Sequence, residues 1–219
     1  MIDGLLPPPV VAAEAFDDVA DDLPFPGEHQ LIAGAVDGRR REFVTARRCA
    51  RRALAGLGHP PTAILSGLRR EPLWPAGVVG SITHCPGYRA AAVARSAELA
   101  GLGIDAEPHG PLPEGVAEQV VLPAERVQLA RLAATHPGIR WDRVLFSAKE
   151  SVYKAWYPMT GRWLGFDEAH LSFDPAASAF RARILVDGRR VDGGTPLTEL
   201  RGRFLIQRDL VLTAVCVDP

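Results

Sequence analysis

The hydrophobic pattern predicts a long amphipathic helix that begins near Trp141 and ends near Thr160-Gly161. Apolar residues recur there at three- and four-residue steps, which is typical of one buried helix face. That face consists of Trp141, Leu145, Ala148, Val152 and Ala155. The rest of the chain is organised around this helix.

The opposite face of the same helix carries both charges and aromatic rings. Glu150 lies there, with Lys154 one turn further on. Phe146, Tyr153 and Tyr157 share this face. Apolar residues on both sides of a helix indicate that both sides are covered, so we expect Glu150 to lie in a cleft. The alternative is an exposed Glu–Lys pair, which would contribute about 0.3–0.5 kcal/mol.

Periodicity and turn residues also predict the other elements. A basic helix is expected over about 28–57, a hairpin over 78–94, a strand over 102–107, and short helices over 113–122 and 123–135. Four strands follow the long helix, at about 170–173, 180–186, 202–207 and 210–217. This order predicts an α/β (α+β) chain with two halves of similar outline, 1–104 and 105–219.

Composition excludes several classes of protein. The chain has 219 residues, of which 47% are hydrophobic and 23% charged, with a formal net charge of −1. This balance does not favour nucleic acid as a partner, and no apolar run approaches the roughly 18 residues of a membrane span. The N-terminus lacks a signal-peptide pattern, and three widely spaced cysteines indicate neither a disulfide framework nor a zinc site. We therefore expect a cytoplasmic protein.

Lysine is rare in this chain and is placed in one segment. Among 25 Lys and Arg residues, the two lysines are Lys149 and Lys154, on either side of Glu150. An ammonium is a compact point charge that a guanidinium does not replace, so this placement favours a chemical role for both. The alternative is chance placement of a rare residue.

Two carboxylates share one face of the strand over 102–107. Side chains alternate along a strand, so Asp105 and Glu107 point to the same side. They repel each other unless a cation neutralises them, and oxygen ligands suit Mg²⁺. The alternative is a solvated strand face, on which such pairs are common.

Two basic side chains are candidates for binding phosphate. Arg47 falls on the apolar stripe of its helix and needs a partner, either a bound anion or a buried carboxylate. His84 ends a strand beside Ser81 and Thr83, a position that suits phosphate, although a lone histidine is usually structural.

Three motifs stand in order along the chain. They are Gly80-Ser81-Ile82-Thr83-His84, Gly103-Ile104-Asp105-Ala106-Glu107, and Phe146-Ser147-Ala148-Lys149-Glu150 with Tyr153-Lys154. Together they resemble the 4′-phosphopantetheinyl transferases, in the branch of the enterobactin- and surfactin-synthetase-activating enzymes, and most closely its actinobacterial members. Glu71-Pro72-x-Trp74-Pro75 and Trp163-Leu164-Gly165-Phe166 extend the resemblance over roughly residues 36–175.

The resemblance implies a fold and an activity. Such enzymes transfer the phosphopantetheine arm of coenzyme A to a serine of an apo acyl or peptidyl carrier protein, with Mg²⁺, and release adenosine 3′,5′-bisphosphate. The implied fold is a pseudo-twofold pair of α/β halves in one compact unit, with coenzyme A in the cleft between them. The nucleotide would lie on the side of 1–104, and the metal on the side of 105–219.

The resemblance also implies roles for individual residues. Asp105, Glu107 and Glu150 would hold Mg²⁺. The serine hydroxyl also needs a base, and Glu150, or a metal-bound water held by it, is the best-placed group. Lys149 and Lys154 would neutralise the phosphates and the leaving group. The residues that would bind the nucleotide phosphates are Arg39, Arg47, Ser81, Thr83 and His84. Members of this branch often carry a lysine near Ser66; here Arg69 or Arg70 would take its place.

Two other functions fit the same residues. One is a Mg²⁺-dependent phosphohydrolase or nuclease, which would need a held water and, for a nuclease, a basic groove that a net charge of −1 does not favour. The other is a non-catalytic module that binds coenzyme A or a nucleotide. For the transferase we expect a monomer.

Overall fold

Two antiparallel sheets form the framework of the protein, seen in a computed structural model that describes residues 1–19 and 23–219. The first sheet has the order β1-β3-β2 and consists of β1 (Val11–Ala15), β2 (Val78–Cys85) and β3 (Tyr88–Arg95). The second has the order β4-β8-β7-β6-β5 and consists of β4 (Gly101–Pro108), β5 (Ala169–Asp174), β6 (Ala179–Ile184), β7 (Glu199–Gln207) and β8 (Leu210–Val217).

Four α-helices alternate with these strands along the described chain, and the two long ones pack against the sheets. They are α1 (Asp37–Gly56), α2 (Val116–Val120), α3 (Pro123–Thr135) and α4 (Trp141–Thr160), with short 3₁₀ helices at Ile2–Leu5 and His29–Ile32. Each half places one 20-residue helix, α1 or α4, against an antiparallel sheet. The predicted α/β (α+β) class with two similar halves is confirmed. No helix in the described residues is both long and apolar enough to cross a membrane.

Helix α1 is shorter than the sequence predicts. It begins at Asp37; in the segment before it, His29–Ile32 forms a short 3₁₀ helix and residues 33–36 form a turn and irregular chain. Glu28 is fully buried there, and its Oε1 accepts hydrogen bonds from Arg51 at 2.6 Å and from the Ile64 amide at 2.9 Å. These contacts between distant segments fix the chain before α1 and override the local helical pattern.

Helix α4 has the predicted bounds and packs closely on β4. Its apolar face, including Leu145, Val152 and Ala155, is fully buried against the second sheet. A Cβ added at Gly103 of β4 would overlap the Ser151 carbonyl oxygen of α4. Glycine at this strand position therefore allows the helix to lie directly over β4.

Side-chain hydroxyls join the two sheets. Strands β2 and β4 lie side by side, and the Ile104 amide donates to Ser81 Oγ at 3.0 Å. The Ala106 amide donates to Thr83 Oγ1, also at 3.0 Å. Both hydroxyls are buried, so Ser81 and Thr83, predicted to bind coenzyme A, have a structural role at this junction.

Strand β4 belongs entirely to the second sheet. It pairs with β8 along its whole length, from Gly101 opposite Val217 to Pro108 opposite Leu210. A boundary between residues 104 and 105 would divide this strand. We therefore propose that the two halves meet in the turn before Gly101.

Candidate active site

A cavity of about 230 Å³ lies between the two halves. Its walls come from α1, the loop over 69–72, β2 and α4, and include Arg39, Arg47, Arg69, Arg70, Ser81, His84, Glu150, Tyr153, Lys154 and Tyr157. Because Glu150 lines it together with Tyr153 and Tyr157, the cleft predicted for this glutamate is confirmed. A larger concavity of about 760 Å³, on the face of β5–β7 that carries Arg181 and Arg203, contains none of the predicted site residues.

Arg47 is held at the cavity wall without a carboxylate partner among the described residues. Its Nε donates to the Ile64 carbonyl at 2.9 Å, and its Nη2 donates to Ser66 Oγ at 3.0 Å. The guanidinium carbon lies 3.5 Å from the centroid of the Phe43 ring. Burial lowers the pKa of Arg47 to about 10. Of the two partners left open by the sequence, the geometry favours a bound anion.

His84 and Arg39 line the same cavity and contact each other directly. Nη1 of Arg39 lies 2.6 Å from Nε2 of His84, and Oε2 of Glu42 lies 3.3 Å from that Nη1. Burial, reinforced by the charge of Arg39, lowers the pKa of His84 to about 4, so the ring is neutral. Glu42 was not identified from the sequence, although its position three residues after Arg39 was a signal. Its other oxygen lies 3.5 Å from Arg89.

The loop after Ser66 brings two more arginines to the cavity. Arg69 and Arg70 both line it, and the Arg69 guanidinium carbon lies 5.7 Å from the centroid of the Trp163 ring in the other half. The Glu71 carboxylate folds back over the turn and accepts from the Arg69 amide at 2.8 Å. Ser66 itself binds Arg47, and a phosphate contact by Arg69 or Arg70 stays a prediction.

Asp105 is the central acid of the site. It is buried, and its Oδ1 accepts from Lys154 Nζ at 2.7 Å and from Thr83 Oγ1 at 3.4 Å. Its Oδ2 is buried and has no hydrogen-bond partner in the described structure. A buried carboxylate oxygen without a partner is costly, which makes this atom a candidate ligand for a cation.

Glu107 and Glu150 flank Asp105 and respond to its charge. Burial raises the pKa of Glu107, Asp105 raises it further, and the nearby Arg143 opposes the shift. Arg143 Nη1 donates to Glu107 Oε2 at 2.8 Å. Burial also raises the pKa of Glu150; Lys154 opposes this shift and Asp105 adds to it. Glu107 and Glu150 therefore have less positive charge around them than their burial requires.

Lys149 lies outside this cluster, contrary to the sequence-based expectation. Its Nζ donates to the Val120 carbonyl at 2.8 Å, to Glu125 Oε2 at 2.8 Å and to the Phe166 carbonyl at 2.7 Å. The side chain is almost fully buried, and the three hydrogens of its ammonium are all used. The geometry thus does not support a role for Lys149 in neutralising phosphates. Glu125, its partner, was not identified from the sequence.

A smaller, mainly apolar pocket of about 110 Å³ adjoins the cavity and shares Glu150 and Tyr153 with it. The Tyr153 ring centroid lies 4.9 Å from that of Trp163. The Tyr153 hydroxyl is buried and has no partner among the described residues. The pocket is lined by Lys149, Glu150, Tyr153, Trp163, Leu164, Gly165, Phe166 and Ala169.

Comparisons with known proteins agree with this geometry. The family model described as the 4′-phosphopantetheinyl transferase N-terminal domain matches residues 27–94, and the 4′-phosphopantetheinyl transferase superfamily model matches residues 101–193. The chain belongs to the 4′-phosphopantetheinyl transferase family.

Its relatives include three 4′-phosphopantetheinyl transferases. Svp of Streptomyces mobaraensis is 56% identical over 99% of this chain and 89% of its own length. Npt of Nocardia iowensis is 50% identical over 98% of this chain and 99% of its own length. PptT of Mycobacterium tuberculosis is 51% identical over 93% of this chain and 90% of its own length. The predicted family and its actinobacterial character are confirmed.

Transferases of this family act on coenzyme A and carrier proteins, so the predicted transferase function and its co-substrate are confirmed. Magnesium is a separate question. Within residues 1–19 and 23–219, no three His, Cys, Asp or Glu side chains come together as a ready metal site. The assignment of Asp105, Glu107 and Glu150 as Mg²⁺ ligands therefore stays a prediction.

An open site still suits these acids. Mg²⁺ usually binds one or two carboxylates and completes its shell with substrate phosphate oxygens and waters. The unpartnered Oδ2 of Asp105 and the raised pKa values of Glu107 and Glu150 fit a cation that arrives with the substrate. The residues present in this phosphopantetheinyl transferase are thus compatible with Mg²⁺.

Proposed function

We propose that this protein transfers the 4′-phosphopantetheine arm of coenzyme A to a serine of apo acyl or peptidyl carrier proteins. The reaction uses Mg²⁺ and releases adenosine 3′,5′-bisphosphate. The observation that carries this proposal is the cavity between the halves. It has cationic side chains on the walls formed by α1 and the loop over 69–72, and Glu150 and Lys154 on the wall formed by α4. Lys154 in turn pairs with the buried Asp105. Coenzyme A needs both, because its nucleotide phosphates require cations and its pyrophosphate requires a metal.

The cationic wall suits the nucleotide end of coenzyme A. Arg47 already lacks a carboxylate partner among the described residues, and a phosphate would supply the missing negative charge. Arg39 can turn from His84 to a phosphate because its side chain is 47% exposed. Arg69 or Arg70 adds charge from the opposite loop. Charge-assisted contacts of this kind are the strong ones, so this wall should discriminate for the 3′-phosphate.

The acidic end suits the pyrophosphate with its metal. Asp105, Glu107 and Glu150 would hold Mg²⁺, which when bound neutralises charge on the phosphates being separated. Lys154 adds a fixed positive charge beside Asp105, at 2.7 Å from its Oδ1. Phosphoryl transfer depends mainly on positioning and on such neutralisation, and both are available here.

Glu150 is the group best suited to accept the serine proton. It lines the cavity beside Lys154, and burial raises its pKa in the metal-free protein. Because it would also hold Mg²⁺, the acceptor is either its carboxylate or a metal-bound water that it holds. As the serine oxygen forms its bond to the β-phosphorus, the bond from that phosphorus to the bridging oxygen breaks. The electron pair leaves with adenosine 3′,5′-bisphosphate, whose new charge Lys154 can offset.

The pantetheine arm fits the smaller pocket. That pocket is lined mainly by apolar atoms and opens beside Glu150, where the β-phosphate would lie. The unpartnered Tyr153 hydroxyl can donate to an amide carbonyl of the arm or to a phosphate oxygen. This arrangement would extend coenzyme A from the arginines, past the acids, to the aromatic wall.

An intact-mass assay tests the proposal. The protein is incubated with coenzyme A, MgCl₂ and an apo carrier protein, and the carrier should gain one phosphopantetheine. A carrier in which the acceptor serine is changed to alanine should gain none. Chelation of the metal should abolish the gain, and Glu107→Gln should reduce the rate by roughly a hundredfold. Full activity of Glu107→Gln at low Mg²⁺ would contradict the metal assignment.

The same assay separates the alternative functions. A phosphohydrolase would consume coenzyme A in the absence of any carrier, and a binding module would bind it without turnover. A panel of acyl and peptidyl carriers would identify the class of partner. The monomeric state and cytoplasmic location stay predictions, which light scattering and cell fractionation would test.

A further inference from the structure

Lys149 and Glu125 form a buried ion pair that joins five segments of the second half. The Lys149 side chain on α4 binds the Val120 carbonyl at the end of α2 and the Phe166 carbonyl in the loop after α4. Glu125 on α3 uses Oε1 to accept from the Leu171 amide of β5, at 2.7 Å. Both side chains are at most 3% exposed.

Stability alone does not account for a buried ion pair at this position. Desolvating two charges is costly, and apolar residues of similar volume often stabilise a core at least as well. A buried pair with all its hydrogen bonds made does, however, fix the relative positions of the groups that it binds. The Lys149 ammonium makes three bonds of 2.7–2.8 Å, each to a different segment.

One residue that this pair holds in place, Phe166, forms part of the wall of the smaller pocket. The Phe166 carbonyl binds Lys149, and the Phe166 ring packs against Phe146 of α4 at a centroid distance of 5.8 Å. The same loop carries Trp163 and Leu164, which face Tyr153 across the pocket. Loss of the ammonium would free the loop at Phe166 and let the pocket change its width.

We propose that Lys149 and Glu125 are positioning residues that set the Trp163–Phe166 wall at the width of the phosphopantetheine arm. Lys149 acts through the Phe166 carbonyl and not by contact with phosphate. This inference rests on the proposed function, since it requires the arm to enter the smaller pocket.

Two ligands separate the arm from the phosphates. One is coenzyme A; the other is adenosine 3′-phosphate 5′-diphosphate, which keeps the nucleotide, the 3′-phosphate and the pyrophosphate but lacks pantetheine. Calorimetric titration with Mg²⁺ gives Kd for each. The wild-type protein should bind coenzyme A more tightly. Equal Kd values for the two ligands in the wild type would show that the arm does not bind in the smaller pocket. This inference would then be wrong, and so would the part of the proposed function that places the arm there.

The decisive variant is Lys149→Met with Glu125→Gln, which removes both charges together and keeps an acceptor for the Leu171 amide. Its Kd for coenzyme A should rise by roughly tenfold, while Kd for the arm-less ligand should change by less than about twofold. Lys149→Arg keeps the charge but not the compact shape, and it should also raise the Kd for coenzyme A relative to the Kd for the arm-less ligand. This variant replaces the double variant in the test if the double variant does not fold.

A second buried ion pair provides a matched control. Arg51 and Glu28 pair at 2.6 Å away from the smaller pocket. Arg51→Met with Glu28→Gln should lower stability without changing the ratio of the two Kd values. If the Lys149 variants weakened both ligands equally, Lys149 would contact phosphate, and the inference would fall while the proposed function stood. Unchanged Kd values for both ligands would also overturn it and leave the pair a purely structural role.

Discussion

The ammonium of Lys154 lies 2.7 Å from Oδ1 of Asp105 and joins helix α4 to strand β4 at the centre of the candidate site. It also donates to the Ile104 carbonyl at 3.1 Å. Glu150, one helical turn earlier, receives no hydrogen bond from it in the described structure. Lys154 is therefore not half of a surface Glu–Lys pair. It pairs with the buried Asp105, and its charge opposes the rise that burial causes in the pKa of Glu150.

Lys154→Met should impair turnover in a pH-dependent way. Removing this cation raises the pKa of Glu150 further, so the base is protonated at higher pH. The acidic limb of the kcat/KM profile should move to higher pH, and kcat/KM at about pH 7 should fall by roughly tenfold or more. Lys154→Arg keeps the charge and should leave the limb near its wild-type position. A limb that does not move in Lys154→Met would mean that Glu150 is not the titrating base.

Arg47→Ala should weaken coenzyme A by loss of one charge-assisted contact, which is worth about 1.5–3 kcal/mol. The Michaelis constant for coenzyme A should therefore rise by about ten- to a hundredfold, with a smaller loss in kcat. The preference for coenzyme A over its 3′-dephospho form should largely disappear. Arg52→Ala, an exposed position on the same helix, is the control and should change neither value. Equal weakening of both substrates would instead indicate a structural role for Arg47.

His84 should make stability depend on pH below neutrality. Its folded-state pKa is lowered to about 4 from the ordinary 6.5, so the unfolded chain takes up the proton first as pH falls. The contribution of the neutral ring is complete above pH 6.5 and is lost progressively towards pH 4. Urea unfolding at about pH 7.5 and about pH 5 should show a smaller difference for His84→Gln than for wild type. His29 is exposed, so His29→Gln should show the same difference in stability between the two pH values as wild type. If His84→Gln also showed the wild-type difference, His84 would not be the source of this pH dependence.

Ser81→Ala tests whether the β2 hydroxyl joins the sheets or binds substrate. The buried Ile104 amide would lose its acceptor, which should lower the free energy of unfolding by about 1–3 kcal/mol. Ser172→Ala on β5 removes a hydroxyl that has no side-chain hydrogen bond in the described structure, and should cost less than about 0.5 kcal/mol. Unchanged stability with weaker coenzyme A binding would instead support the role that the resemblance implied for Ser81.

The sequence predicted the local elements well where their pattern was self-contained. Helix α4 has an apolar stripe of nearly six turns, and the β2–β3 hairpin has a clear turn at Pro86-Gly87. Helix α1 was predicted too long because the buried bonds of Glu28, to Arg51 and to the Ile64 amide, are not visible in local periodicity.

The candidate site was predicted in part. Asp105, Glu150 and Lys154 come from two elements whose patterns are regular, and the structure brings them together. Glu42 and Glu125 were missed because acids on helices are usually solvated, and the sequence does not indicate which acids lie opposite a cation from another segment. Thr83 was assigned to the substrate, but its hydroxyl is an acceptor for the Ala106 amide of the neighbouring sheet.

The two lysines illustrate which features the sequence determined and which only the tertiary structure decided. Their five-residue separation places them about 140° apart around α4, so the sequence by itself determined that they face different surroundings. It also determined the three motifs, and through them the family. What each lysine meets was decided by packing: α3 brings Glu125 to Lys149, and β4 brings Asp105 to Lys154. The identity of a partner depends on how distant segments pack, because the free energy of burying an ammonium is set by the acceptors that surround it in the folded chain.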